Sequence, residues 1–249
     1  MAKILSGKQI VDKEFISVEG ISQRMKDSIG DIEDTFSCCI WGDSSNGKTS
    51  FTLELVANLQ VLGDVLYLGY EEGHGKSFKK GLERSSVDLN KISVVDHCEF
   101  DELVEILNRR FSAKIVVIDS IQYSDFTLKN YKLLKRQFMF GRAKNARKIF
   151  IFISHATGKK PDGTVAGKIA YDANVKVYVK NFIAFVGSRF GTKQNYVIYE
   201  AGARDRWGDK YDDVTCVIGT KKTKKTIKKP KAKTNAKAIP TATPNEPNA

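Results

Sequence analysis

The chain has 249 residues, 41% of them hydrophobic and 28% charged, a balance that excludes a collagen-like or wholly disordered protein. It holds no apolar run of 18 or more residues, so no membrane-spanning helix is expected, and the opening Met1-Ala2-Lys3-Ile4-Leu5-Ser6-Gly7 lacks the apolar core of a signal peptide. The formal charge is 41 − 29 = +12, of which residues 220–249, with nine Lys and one Glu, carry +8 and the rest only +4.

Residues 1–35 read as a helical lead-in, with Val18, Ile21, Met25 and Ile29 on one face of a helix from about Val18 to Ile29. Phe36–Trp41 is an apolar strand that ends in a Gly-rich turn, followed by a helix from Thr49 to Leu62. Strands are then expected at Val65–Leu68, Ile92–Val95, Ile115–Ile118 and Lys148–Ser154. Helices are expected between them at Lys76–Ser85, Asp101–Phe111 and Asn130–Ala146. Strands apolar on both faces and alternating with helices imply an α/β fold, a mostly parallel sheet flanked by helices. After Gly167 the pattern changes: Val175–Val179, Phe182–Val186 and Tyr196–Tyr199 follow with short connectors and read as a C-terminal β-meander. The core is thus expected over 36–219. The last thirty residues are too poor in large apolar side chains to offset chain entropy and are expected to be a disordered Lys-rich tail. Cys38, Cys39, Cys98 and Cys216 form no C-x-x-C pair, so a zinc site or redox dithiol is not indicated. They point to a reducing, cytoplasmic setting.

Gly42-Asp43-Ser44-Ser45-Asn46-Gly47-Lys48-Thr49 is a complete G-x-x-x-x-G-K-[ST] phosphate loop between an expected strand and an expected helix, with Ser50 next in the helix. Backbone N–H groups of such a loop and the helix dipole receive phosphates. Lys48 would neutralise the β- and γ-phosphates, and Thr49 would offer its hydroxyl to Mg²⁺. Asp119 closes the apolar run Ile115–Ile118, where a second Mg²⁺ partner is needed. Glu71 and Glu72 follow the second strand, where one of them can act as general base on an attacking water. Without a guanine-reading Asn-Lys-x-Asp motif, ATP is the expected nucleotide.

Together these segments resemble the RecA-fold ATPases, within them the RadA, DnaB and KaiC branch, over about Phe36 to Trp207. The likeness rests on the phosphate loop, on Val65-Leu66-Tyr67-Leu68-Gly69-Tyr70-Glu71-Glu72 and on Ile115-Val116-Val117-Ile118-Asp119-Ser120-Ile121-Gln122. It rests also on Ser154-His155-Ala156-Thr157-Gly158-Lys159 running through Ala166-Gly167, on Ile169-Ala170-Tyr171-Asp172-Ala173-Asn174-Val175, and on Gly187-Ser188-Arg189-Phe190-Gly191. The resemblance implies a RecA-like P-loop ATPase that hydrolyses ATP with Mg²⁺ at subunit interfaces of a ring or filament. Glu71 would be the base, Glu72 its backup, His155 the γ-phosphate sensor and Arg189 a finger reaching a neighbour's ATP. Loop 157–168, with Lys159, Lys160 and Lys168, would face DNA, most simply single-stranded, helped by the basic tail. The family's Lys of the fifth segment is Gly187 here, and RecA's Gln sensor is His155. The 249 residues hold no counterpart of RadA's zinc module or protease-like domain, so the resemblance implies an isolated core of the kind found in phages and mobile elements. A second reading is a KaiC-like nucleotide switch whose partner is a protein. Tyr123 and Phe126 are open between base stacking and core packing.

Overall fold

In the computed structural model, residues 4–13, 17–141 and 146–217 are described. A five-residue helix, α1 (Gly7–Val11), is capped by Ser6 and buries nothing. The helix expected from Val18 is shorter, α2 (Gln23–Ile29): Gly20 sits at φ 80°, and the Ser22 hydroxyl caps the Met25 N–H. Val18 and Ile21 are buried all the same, as extended chain packed into the core that Met25 and Ile29 enter from the helix.

β1 (Ser37–Gly42) leads through the phosphate loop into α3 (Lys48–Leu59), which stops three residues before the expected end. Then come β2 (Val65–Gly69), α4 (Lys76–Arg84), β3 (Ile92–Val95), α5 (Phe100–Asn108) and β4 (Ile115–Asp119). The long helix expected over Asn130–Ala146 is instead α6 (Leu128–Leu134) followed by a π-helical turn at Lys135–Met139, with 142–145 outside the described residues. β5 (Ile149–Ser154) follows.

Where a single Gly-rich loop is expected over 157–168, the chain forms a two-stranded hairpin, β6 (Ala156–Thr157) and β7 (Lys160–Pro161), and then α7 (Thr164–Asp172). β8 (Val175–Lys180), β9 (Ile183–Ser188) and β10 (Tyr196–Val197) are the expected last three strands, with helices α8 (Glu200–Trp207) and α9 (Tyr211–Thr215) after them.

Eight strands form one sheet in the order β10-β9-β8-β1-β5-β4-β2-β3. β8 pairs parallel to β1, so it extends the parallel sheet, and only β9 runs against the other strands, pairing antiparallel with β8 and β10. The sheet is covered on both faces because its central strands are apolar on both sides. Cys38, Ile40, Tyr67, Val117 and Ile151 face α2, α3 and α4; Cys39, Leu68, Ile118 and Phe152 face α5, α6 and α7. The adjacent cysteines therefore serve opposite faces of one strand, and burial pushes the Cys39 thiol up to about 12. Phe126 is a core residue against Phe100 and Phe152, whereas Tyr123 is exposed. No described helix is long and apolar enough to cross a membrane. The tail at 220–249 lies outside the described residues.

Candidate functional site

All parallel strands present their C-terminal ends to one edge, and the order of strands decides which side chains meet there. β5 lies between β1 and β4, so the residues after β5 sit between the phosphate loop and Asp119.

The loop is built tightly. A Cβ on Gly42 would lie 2.3 Å from the Val179 carbonyl oxygen, so only glycine fits against β8. Gly47 turns into α3 at φ 101°. Asn46 is buried: its Oδ1 accepts the Asn181 N–H at 2.7 Å, while its carbonyl accepts the Phe182 N–H at 3.2 Å. Asn46 therefore enters the site as the peg that ties the loop to the β8–β9 turn. Asp43, Ser44, Ser45 and Ser50 are exposed around the loop, and Thr49 is half-buried in the first turn of α3. The Lys48 ammonium donates to the carbonyls of Gly42 at 3.0 Å and Asp43 at 3.1 Å. Burial pulls its pKa down, opposed by Glu71, Asp119, Asp43 and Glu72.

Across β5 stand the acids. Gly69 is in register with Asp119, and the Glu71 N–H donates to the Asp119 carbonyl at 3.3 Å, which brings the end of β2 onto the end of β4. Asp119 accepts the Tyr67 hydroxyl at 2.5 Å. Burial pushes the Asp119 carboxyl up to about 6, the Tyr67 hydrogen bond pulls it down, and Glu71 pushes it up. Glu71 Oε2 lies 3.0 Å from His155 Nε2. Glu72, one residue on, is exposed in the turn. Thus Lys48, Asp119, Glu71 and His155, far apart in sequence, share one edge.

This edge fits a metal-bound polyphosphate. Four acids, Glu71, Asp119, Asp43 and Glu72, act on a single lysine, and the half-buried Asp119 carboxyl is raised first by burial and then by the charges of Glu71 and Glu72, a state a cation relieves. The hydroxyl of Ser120, next to Asp119, is buried without a hydrogen-bond partner. Among the described residues no group of three or more His, Cys, Asp or Glu is arranged to hold a metal ion.

Of the expected DNA-facing residues, Lys159 and Lys160 lie beside this edge, and Lys168 stands further along α7. Lys159 is at the hairpin turn, Lys160 in β7 and Lys168 on α7, all exposed. Lys160, Tyr171 and Lys176 line an open cleft of about 670 Å³ between the hairpin and α7. The hairpin is held to the acids by Gln122, whose amide donates to Ser154 Oγ at 2.8 Å and to the Asp162 carbonyl at 2.9 Å and accepts the His155 N–H at 3.3 Å. Trp41, the residue before Gly42, donates its indole N–H to the Lys159 carbonyl at 3.1 Å.

Arg189 is not at this edge. Ser188 pairs with Val175 at the start of β8, and β8 is six residues long, so roughly 20 Å of strand separates Arg189 from its own phosphate loop. Its N–H donates to the Asn174 carbonyl, and its charge adds to the hydrogen bonds of Lys135 and Tyr131 that hold the Asp172 carboxyl below its ordinary value against burial. Phe190 packs edge-on against Phe36, and Gly30 passes so close that a Cβ would lie 2.2 Å from the Phe190 oxygen.

Sequence reasoning missed Tyr67, Asn181, Phe182 and Arg206, which all touch the loop or its acids. β2 is buried on both sides, so no alternation singled out Tyr67, and the other three arrive from distant elements. A scan against protein-family models finds no match, and a search of the curated proteins finds none either.

Proposed function

We propose that this chain is a Mg²⁺-dependent ATPase of the RecA type that acts on DNA in recombination, repair or replication support. One observation carries the reading: a complete phosphate loop shares one sheet edge with Asp119 and with the Glu71–His155 pair. The α/β sheet, with its polar groups gathered at the C-terminal ends of parallel strands, supports the RecA-like fold.

Lys48, once turned from the Gly42 and Asp43 carbonyls, binds the β- and γ-phosphates, and the N–H groups at the start of α3 receive the rest of the chain of phosphates. Thr49 and Asp119 would hold Mg²⁺, which when bound neutralises charge building on the phosphates. Glu71 accepts the proton of the attacking water, and the imidazole of His155 orients the Glu71 carboxylate and is placed to sense the γ-phosphate. Lys159, Lys160 and Lys168 contact DNA phosphates through charge, which makes that contact salt-sensitive and indifferent to sequence. Gln122 gives the DNA-facing hairpin a hydrogen-bonded link to the hydrolytic edge. Arg189, remote from its own loop, acts on a neighbouring subunit in a ring or filament.

The deciding experiment is ATP hydrolysis by the wild type and by Lys48→Ala, with and without single-stranded DNA, at two salt concentrations. Hydrolysis should require Lys48, rise with DNA and lose that rise at high salt. Turnover retained in Lys48→Ala sinks the assignment. Turnover that needs Lys48 but ignores DNA moves the reading to a nucleotide switch with a protein partner.

A further inference from the structure

The turn between β8 and β9 breaks the rule for its own geometry. Asn181 and Phe182 are its two central residues, closed by the Lys180–Ile183 pair, and both have positive φ, 49° and 60°. That is the pattern of a type I′ turn, in which Asn-Gly is the preferred pair. Asn181 obeys it. Phe182 puts a bulky side chain in the left-handed region, at a cost of about 1–2 kcal/mol relative to glycine. Strain held at a defined position points to a use for the side chain.

Its surroundings show where that use lies. A Cβ on Gly47 of the phosphate loop would lie 3.3 Å from Phe182 Cδ1, so the ring stands beside the start of α3. The Arg206 guanidinium lies 4.5 Å from the centre of the Phe182 ring, and Arg206 also reaches Asn46 Oδ1 at 3.5 Å. The Tyr199 ring meets Phe182 edge-on at 5.6 Å and is 57% exposed. Gly202 lets both rings sit against α8, since a Cβ there would come within 2.6 Å of Tyr199 and 2.7 Å of Phe182. Phe182, Tyr199 and Arg206 thus form an aromatic and cationic shelf, partly open to solvent, beside the phosphate loop.

The sheet order sets its relation to the acids. β5, with His155 after it and Asp119 and Glu71 beyond, flanks the loop on one side, and β8 with the shelf flanks it on the other. A triphosphate whose γ-phosphate meets Glu71 and Asp119 must send its nucleoside away from them, toward β8. We infer that the Phe182–Tyr199–Arg206 shelf is the base-binding subsite of the nucleotide site, holding a nucleoside base by stacking on the aromatic rings and the guanidinium plane. This rests on the proposal that the loop binds a nucleoside triphosphate, and it assigns to Phe182 and Arg206 a part in affinity that is separate from the phosphates.

The test compares two ligands on the full chain by calorimetry with Mg²⁺ present: ATP, which has a base, and inorganic tripolyphosphate, which has none. Phe182→Gly suits the turn geometry and so keeps the fold, and Arg206→Gln keeps length without charge. Both variants should bind ATP on the order of ten-fold more weakly, the scale of losing one stacking partner, and bind tripolyphosphate as the wild type does. Unchanged ATP affinity in both overturns the shelf, and so does an equal loss for the two ligands, which would make these residues supports of the loop. Lys48→Ala separates the two levels of the argument, because it should weaken both ligands. A wild type that binds neither, or a Lys48→Ala variant that binds both normally, removes the phosphate-site reading and the shelf with it.

Discussion

Lys148 is 2% exposed, and its ammonium is held by neutral oxygens: Ala113 O at 2.6 Å, Ser112 Oγ at 2.9 Å and Ser112 O at 3.3 Å. Burial pushes its pKa down to about 8 from the ordinary 10.5, helped by the charge of Lys114. The unfolded chain therefore binds the proton more tightly than the folded one. Between about pH 8 and 10.5 the unfolded state keeps a proton that the folded state has released, so stability rises with pH across that window. Lys148→Met has no such proton. Denaturant unfolding of both proteins at pH 7.5 and 10 should show wild type gaining on the variant by up to about 3 kcal/mol. Parallel changes in the two would mean that the amine is not desolvated. Lys148 was read in the sequence only as the first residue of a strand, because a buried lysine has no local signature. The same limit applies at the phosphate-loop edge. That Lys48, Thr49, Asp119 and Glu71 gather at one edge was legible because the phosphate-loop motif and the ends of two apolar strands fix where each must lie. Tyr67 and Arg206 were not, because their contacts to Asp119 and Asn46 span 52 and 160 residues of chain.

At the scale of elements, strands such as Ile115–Asp119 could be read because they are apolar on both faces and are bounded by polar turns. Helix ends were less legible. A single cap at Ser22 moved the start of α2, and a π-helical turn interrupted the long helix after Leu134. The β6–β7 hairpin was invisible because two-residue strands carry no period. Its stability is correspondingly nonlocal. Beyond its own short ladder, it is held by the Gln122 amide, by the Trp41 indole and by the Tyr178 hydroxyl, which donates to the Gly158 carbonyl at 3.3 Å. Gln122→Ala removes a donor from both Ser154 and Asp162 and should cost about 1–2 kcal/mol. The loss should be local. Amide exchange should speed up over 156–162 and stay slow in β1 and β4, whose ladders Gln122 does not touch. Equal exchange in the hairpin of variant and wild type would show that the aromatic anchors suffice, and the proposed link from the hydrolytic edge to the DNA-facing lysines would lose its connector.

At the scale of the whole molecule, the position of Arg189 is the argument for assembly. The antiparallel turn into β9 carries the chain back across the sheet, so Arg189 emerges at the edge opposite the phosphate loop. Arg189 so placed does not reach its own site without rebuilding the sheet, and under the proposed finger role it would serve the site of another copy. In the proposed ring or filament, with one repeated head-to-tail interface, each site would combine Lys48 of one subunit with Arg189 of the next. Lys48→Ala and Arg189→Ala should each be nearly inactive alone. Mixed in equal amounts and allowed to exchange subunits, they should recover activity, because about a quarter of interfaces will join an intact Lys48 site to an intact Arg189. Recovery should grow with protein concentration and vanish on dilution below the assembly range. An Arg189→Ala protein as active as wild type would remove the finger. An inactive Arg189→Ala protein that no partner rescues would instead place Arg189 in its own subunit's fold, alongside Phe190 and the Gly30 contact.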